Sequence, residues 1–196
     1  MLTAEDLQRG LTGAWRLFLG KRDAVRLFDT SFRGFWRSFM AIVLVLPIYV
    51  LYVGAERRMI LSDMPEGALF PEIPFGLTRV LALVLDWAAF PLVAGLLARP
   101  LGFARHYVRL VVAFNWGGPI VSSIMATPAI LYAFSIVPEV PAQILFLGAL
   151  IITIRYRFIT ARAALDSGFP LAAGMVALEF LLSMVLGETI SRLAGV

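Results

Sequence analysis

The stretch Phe75 to Leu97, FGLTRVLALVLDWAAFPLVAGLL, is long enough to cross a bilayer and carries a carboxylate, Asp86, at its middle. At 1.5 Å per residue, Asp86 lies roughly 15 Å below the point where such a helix enters a hydrocarbon core ~30 Å thick. A charge at that depth is expensive, so neighbouring spans must supply partners for it. One helix of this kind therefore implies a bundle of several.

The remainder of the chain fits that demand. Of 196 residues, 60% are hydrophobic and 15% charged, against about 45–50% and 25% in soluble domains. The net charge of +4 does not point to nucleic acid, because the bases recur between apolar runs instead of gathering with aromatics into one domain. Zero cysteines and one histidine exclude disulfides, thiolate metal sites, a cysteine nucleophile and a bis-histidine haem site within one chain. No cofactor or metal site is expected.

Residues 1–36 read as a cytoplasmic, interfacial leader. The segment Thr3 to Leu19 predicts an amphipathic helix, capped by Thr3 with Asp6 three residues on, whose face Leu7, Leu11, Ala14, Trp15, Phe18 and Leu19 suits a membrane surface. Arg9, Arg16, Lys21, Arg22 and Arg26 lie beside that face and favour anionic headgroups. The same bases serve equally as a topogenic leader. Intermixed acids, bases and apolar residues do not form the pattern of a cleaved signal peptide. Phe28, Phe32, Phe35, Trp36 and Phe39 form an aromatic run at helical spacing, read as an interfacial belt.

Residues 37–193 then predict five spans, at about 37–53, 75–97, 107–133, 142–158 and 169–190. The segment 54–74, with six charges and Pro65, Pro71 and Pro74, reads as a mostly irregular exterior loop. In the third span, Gly118, Ser122 and Ala126 recur every four residues and permit close approach of another helix, either within the chain or in a homo-oligomer. Pro119 and Pro128 predict a kink or break there, with freed carbonyls satisfied by neighbours or by hydroxyls such as Ser122, Ser123 and Thr127. Between the last two spans, Gly168 is expected to take a positive φ. Placing the N-terminus in the cytoplasm puts thirteen of the seventeen Lys and Arg residues inside, Arg155, Arg157 and Arg162 among them, which predicts N-in, C-out.

Under that topology Asp86, Asn115 and Glu179 reach similar depth near the midplane, with Arg79 two turns from Asp86 on the same face. One reading of this cluster is a proton or cation relay, because desolvated paired carboxylates can share a proton. The other is a hydrogen-bonded plug joining the second, third and fifth spans. Arg79 could alternatively be the counter-ion of Asp86. No HExxH, GxSxG, Walker A or dinucleotide fingerprint is present, and His106 reads as a surface residue, so no catalytic residue is expected.

The segments FARHYVRLVVAFNWGGPIVSS and ARAALDSGFPLAAGMVAL, taken with the five-span pattern, resemble a bacterial, divergent member of the Yip (Ypt/Rab-interacting protein) family over about residues 35 to 193. The first is similar to the family's basic, tyrosine-bearing entry into its third span, the second to the link into its last. The resemblance implies a five-span fold and carries no functional residue. Eukaryotic members bind prenylated GTPases and shape trafficking membranes, but this sequence lacks the extended cytoplasmic segment many of them have. The expected fold is thus an all-α polytopic membrane bundle. The expected function is non-enzymatic organisation of lipid, with anionic lipids as partners, or of a membrane protein complex. The alternative is a small channel or proton- or cation-coupled transporter.

Overall fold

The computed structural model describes residues 3–194, and all regular structure among them is helical. Seven α-helices follow one another: α1 (Ala4–Phe18), α2 (Phe32–Phe39), α3 (Ile42–Asp63), α4 (Glu72–Ala98), α5 (Tyr107–Ala133), α6 (Glu139–Leu165) and α7 (Phe169–Ala194). Short 3-10 turns at Arg22–Leu27 and Ala104–His106 link α1 to α2 and α4 to α5. Five helical stretches, the first running through α2 and α3 and the others containing α4, α5, α6 and α7, are long and apolar enough to cross a membrane.

Local chemistry sets the boundaries. The Thr3 hydroxyl accepts from the Asp6 amide at 3.2 Å while the Asp6 carboxylate accepts from the Thr3 amide at 2.9 Å, a reciprocal cap that starts α1. The helix stops where Gly20 takes φ +86°. The Lys21 amide then donates to the Arg16 carbonyl at 2.9 Å and the Gly20 amide to that of Leu17 at 2.8 Å, satisfying carbonyls of the last turn. Between α2 and α3, the Val43 and Leu44 amides donate to the Met40 and Ala41 carbonyls, three residues back. The two helices are thus joined by one tight turn and not by a loop.

The exterior loop expected at 54–74 is shorter than its charges suggested. Helix α3 continues through Glu56, Arg57 and Arg58 to Asp63. It ends only at Met64, which is extended (ψ 144°) because Pro65 follows it. Charged side chains are good helix formers; proline, not polarity, terminates this one. The charges continue into packing, with Glu56 paired to Arg79 at 2.7 Å and Arg57 paired to Glu72 across to α4. Helix α6 runs past the end of its span, through Arg155, Arg157 and Arg162, to Leu165. There Asp166, not Gly168, occupies the left-handed position at φ 49°.

Helix α5 is the axis of the molecule. All nine residues from Leu110 to Gly118 are buried, because α5 is packed by α1, α2, α3 and α6 and, at one end, by α4. The leader does not stand apart from the bundle. Its residues Ala14, Leu17, Ala24, Val25 and Phe28 share one core with Phe90 of α4, Phe114 and Trp116 of α5 and Tyr156 of α6. The face of α1 that enters this core is Gly10, Gly13, Ala14 and Leu17, while Leu11, Trp15 and Leu19 point outward. Burial of the whole Leu17 side chain alone contributes about 1.5–3 kcal/mol. Gly10 is required there, since a Cβ at that position would lie 2.2 Å from Cδ2 of Trp116.

Candidate functional site

Asp86, Asn115 and Glu179, expected at one depth, and Arg79, expected two turns from Asp86, separate into four pairs, each with a partner the sequence did not nominate. Glu179 of α7 pairs with Arg157 of α6, Oε1 to Nη2 at 2.7 Å. Arg157 is buried, donates from Nη1 to the Phe114 carbonyl at 2.9 Å, and stands 4.6 Å above the Phe114 ring. That ring is stacked on Phe90 at 4.6 Å, with 8° between the planes. One guanidinium thus ties α6 to α7 by charge and to α5 by a carbonyl and a π-face, and through Phe90 to α4.

Arg79 is not the counter-ion of Asp86. It bonds Glu56 of α3 at 2.7 Å and lies 5.1 Å over the Phe75 ring, while its own carbonyl accepts from the Tyr49 hydroxyl at 2.7 Å. Asn115 faces away from both carboxylates, toward α2. Its Nδ2 donates to the buried Ser38 hydroxyl at 2.9 Å, and Ser38 in turn donates to the Phe35 carbonyl at 2.6 Å. Asp86 accepts from the Ser183 hydroxyl of α7 at 2.5 Å, and both residues are exposed on the protein surface. Ser183 is one turn beyond Glu179, so the two carboxylates border the same α4–α7 seam.

The small-residue face of α5 is used within the chain. Gly118 lies under Trp87, whose Cη2 would be 2.6 Å from an added Cβ; Ala126 is buried and Ser122 half-buried. These positions are therefore occupied by intramolecular packing, not left free for a second copy. The hydroxyls near the prolines bond differently from expectation as well. Ser123 donates to the Pro119 carbonyl at 2.8 Å and Thr127 to the Ser123 carbonyl at 2.7 Å, four residues back in each case. The carbonyls freed by Pro119 and Pro128 belong to Asn115 and Ile124 and receive neither hydroxyl.

The leader presents a second polar and apolar surface. Its expected basic residues divide: Arg9 pairs with Glu5 at 2.6 Å and Arg16 with Asp23 at 3.1 Å. Lys21, Arg22 and Arg26, joined by Arg33, are exposed and have no acidic partner among the described residues. Beside them run two outward apolar rows at helical spacing. One comprises Leu11 and Trp15 on α1 with Leu19 just past its end; the other comprises Phe32 and Trp36 on α2 with Met40 just past its end, Phe32 being 80% exposed. An open surface depression lined by Phe32, Arg33, Trp36 and Arg37 joins the basic and aromatic groups. Asp6 is held below the usual carboxylate range by the Thr3 hydroxyl and amide, with Arg37 at 3.0 Å adding to the effect.

The leader is fastened to α6 by Tyr156 and Arg155. The Tyr156 hydroxyl donates to the Ala14 carbonyl at 3.2 Å, and Arg155 to that of Phe18 at 3.3 Å. Phe18 is the last residue of α1, where carbonyls attract donors and positive charge, and Ala14 lies one turn before it. A signal for this docking was present in the sequence as Gly10, Gly13, Ala14 and Leu17 at i, i+3, i+4 and i+7. The larger residues one step round the helix outweighed it. Among the described residues, no group of three His, Cys, Asp or Glu side chains is placed to hold a metal ion.

These features define a class: an all-helical protein with five apolar helices, compatible with an integral membrane protein. Comparison with known proteins finds no matching family model, no matching curated sequence and no matching solved structure.

Proposed function

We propose that this protein is a non-enzymatic, Yip-like component of a bacterial inner membrane that organises anionic lipid or a membrane protein complex at the cytoplasmic face. The observation that carries this reading is the division of labour on the leader. One face of α1 is locked into the bundle through Gly10, Ala14 and Leu17, while Leu11, Trp15, Phe32 and Trp36 are exposed beside Lys21, Arg22, Arg26 and Arg33, which have no acidic partner among the described residues. A rigid surface of aromatic and aliphatic side chains fringed with cations suits a headgroup layer of negative potential. With this end cytoplasmic, the C-terminus is exterior.

The test uses full-length protein in vesicles of defined composition. Lipids retained on the purified protein should be enriched in anionic species at low salt and lose that enrichment as salt rises, because exposed charges are screened. The combined change Arg22→Gln, Arg26→Gln and Arg33→Gln should abolish the enrichment without unfolding the protein. Unchanged retention in that variant would reject the lipid reading, and a stoichiometric protein recovered from native membranes would favour the complex.

A transport reading is kept alive by the exposure of Asp86, a carboxylate in the middle of an apolar helix. Glu179 favours the structural alternative, since it is engaged by Arg157. Reconstituted Asp86→Asn and Glu179→Gln proteins separate the two. Loss of a pH-dependent flux with retained fold would establish transport, whereas absence of flux in the parent protein rejects it.

A further inference from the structure

We propose that Arg155 and Lys21 seat the phosphate of one anionic phospholipid, a discrete site beside the basic surface of the leader. The inference rests on the anionic-lipid reading of that surface and on α6 as a membrane span. Arg155 is sixteen residues beyond Glu139, the first residue of α6, or about 24 Å along the axis of a core ~30 Å thick. Its backbone then lies about one turn short of the cytoplasmic surface. The neighbouring Arg157 is buried against Glu179 and the Phe114 carbonyl, but Arg155 is exposed. A guanidinium at that level reaches up to the headgroups and requires an anion there.

The chain does not supply that anion. No acid pairs with Arg155 or Lys21 among the described residues, and Asp23, two residues beyond Lys21, is taken by Arg16 at 3.1 Å. What the chain supplies is position. Arg155 donates from Nη1 to the Phe18 carbonyl at 3.3 Å, and its Nη2 lies 3.6 Å from where a Cβ on Gly20 would stand. The fork is thereby held beside the Gly20 backbone, and Lys21 adds a second exposed cation next along the chain. A guanidinium fixed in advance loses less freedom on taking up a phosphate than a free surface lysine does. One turn deeper on α6, at i−4 and i−3 from Arg155, Ile151 and Ile152 are exposed, as is Leu19 next to Gly20. A charged head above an apolar floor matches a lipid and not free phosphate, since acyl chains can run along the isoleucines while the phosphate meets the cations. Two cations with no carboxylate paired to them favour a headgroup of net negative charge over a zwitterionic one.

The test is native mass spectrometry of the delipidated full-length protein in neutral detergent, with phosphatidylglycerol, phosphatidylcholine or inorganic phosphate as the probe. One phosphatidylglycerol should be retained in preference to phosphatidylcholine, and inorganic phosphate at equal concentration should not displace it. Arg155→Gln should weaken that retention by about tenfold and Lys21→Gln by about threefold. Arg155→Lys, which keeps the charge without the fork, should recover only part of the loss. Arg192→Gln removes the same charge from the other end of the bundle and should change nothing. Because Arg155 also holds Phe18, protease sensitivity of residues 4–18 is followed in every variant; Lys21→Gln probes the seat with the leader docked. Displacement by inorganic phosphate, equal retention of phosphatidylcholine, or parent-like affinity in either Arg155→Gln or Lys21→Gln would overturn the proposal. Failure of the broader reading looks different. Enrichment in vesicles that survives Arg22→Gln, Arg26→Gln and Arg33→Gln rejects that reading, whereas enrichment lost there with Arg155→Gln silent rejects the seat alone.

Discussion

Arg157 and Glu179 form a 2.7 Å ion pair in which the two side chains retain only 8% and 17% of their accessibility. Because Arg157 also holds the Phe114 carbonyl, its removal would leave an acid and a carbonyl without their donor. Breaking such a pair from one side costs about 3–5 kcal/mol, while replacing both members with apolar groups is often neutral or stabilising. Arg157→Met should therefore destabilise the protein severely, and Arg157→Met combined with Glu179→Leu should recover most of the loss. Denaturant unfolding in mixed micelles measures both; a double variant no more stable than the single would contradict the pairing.

The leader's docking can be broken at one atom. A Cβ on Gly10 would meet the Trp116 ring at 2.2 Å, whereas one on Gly54 meets nothing within 4 Å. Gly10→Ala should cost about 1–3 kcal/mol through overpacking and expose residues 4–18 to protease. Gly54→Ala should leave cleavage unchanged.

Asp6 adds a pH dependence with a definite sign. Its folded-state carboxyl titrates below the ordinary value of 3.8, chiefly through the Thr3 hydroxyl and amide. The contribution to leader capping is therefore fully present above that ordinary value and is lost as pH falls through the lowered one. Hydrogen exchange of the first turn of α1 should accelerate on acidification through that range. Asp6→Asn should flatten the response.

Reporter fusions after Gly20, Pro65, Leu101, Pro138 and Ser167 should alternate between cytoplasmic and exterior, starting inside. Each site lies outside the seven α-helices. An exterior signal after Leu101 would refute the N-in arrangement.

The number and apolar character of the long helices were legible because twenty-residue hydrophobic runs have few alternatives. The partners of the polar residues were not. Depth along a helix says nothing about azimuth, so Asn115, predicted at the level of Glu179, turns instead to Ser38. Arg157 was counted with Arg155 and Arg162 as a topogenic base, yet it is buried while Arg155 is exposed. Composition treats the three alike; only the packing of α6 against α5 and α7 distinguishes them. The end of α3 was misread for a related reason, since Glu56 and Arg57 resemble loop residues until their partners on α4 are known.

The bond from Tyr156 to the Ala14 carbonyl joins residues 142 positions apart. A ribosome working at about 5–20 residues per second makes the second of them roughly 7–28 s after the first. Throughout that interval α1 exists without the α6 groups that fasten it, and its glycine face has no Trp116 to receive it until α5 emerges. The leader is thus made well before the helices that seat it. During biogenesis both of its faces are available to the membrane surface or to the insertion machinery, and its seating reports that the later helices have been delivered.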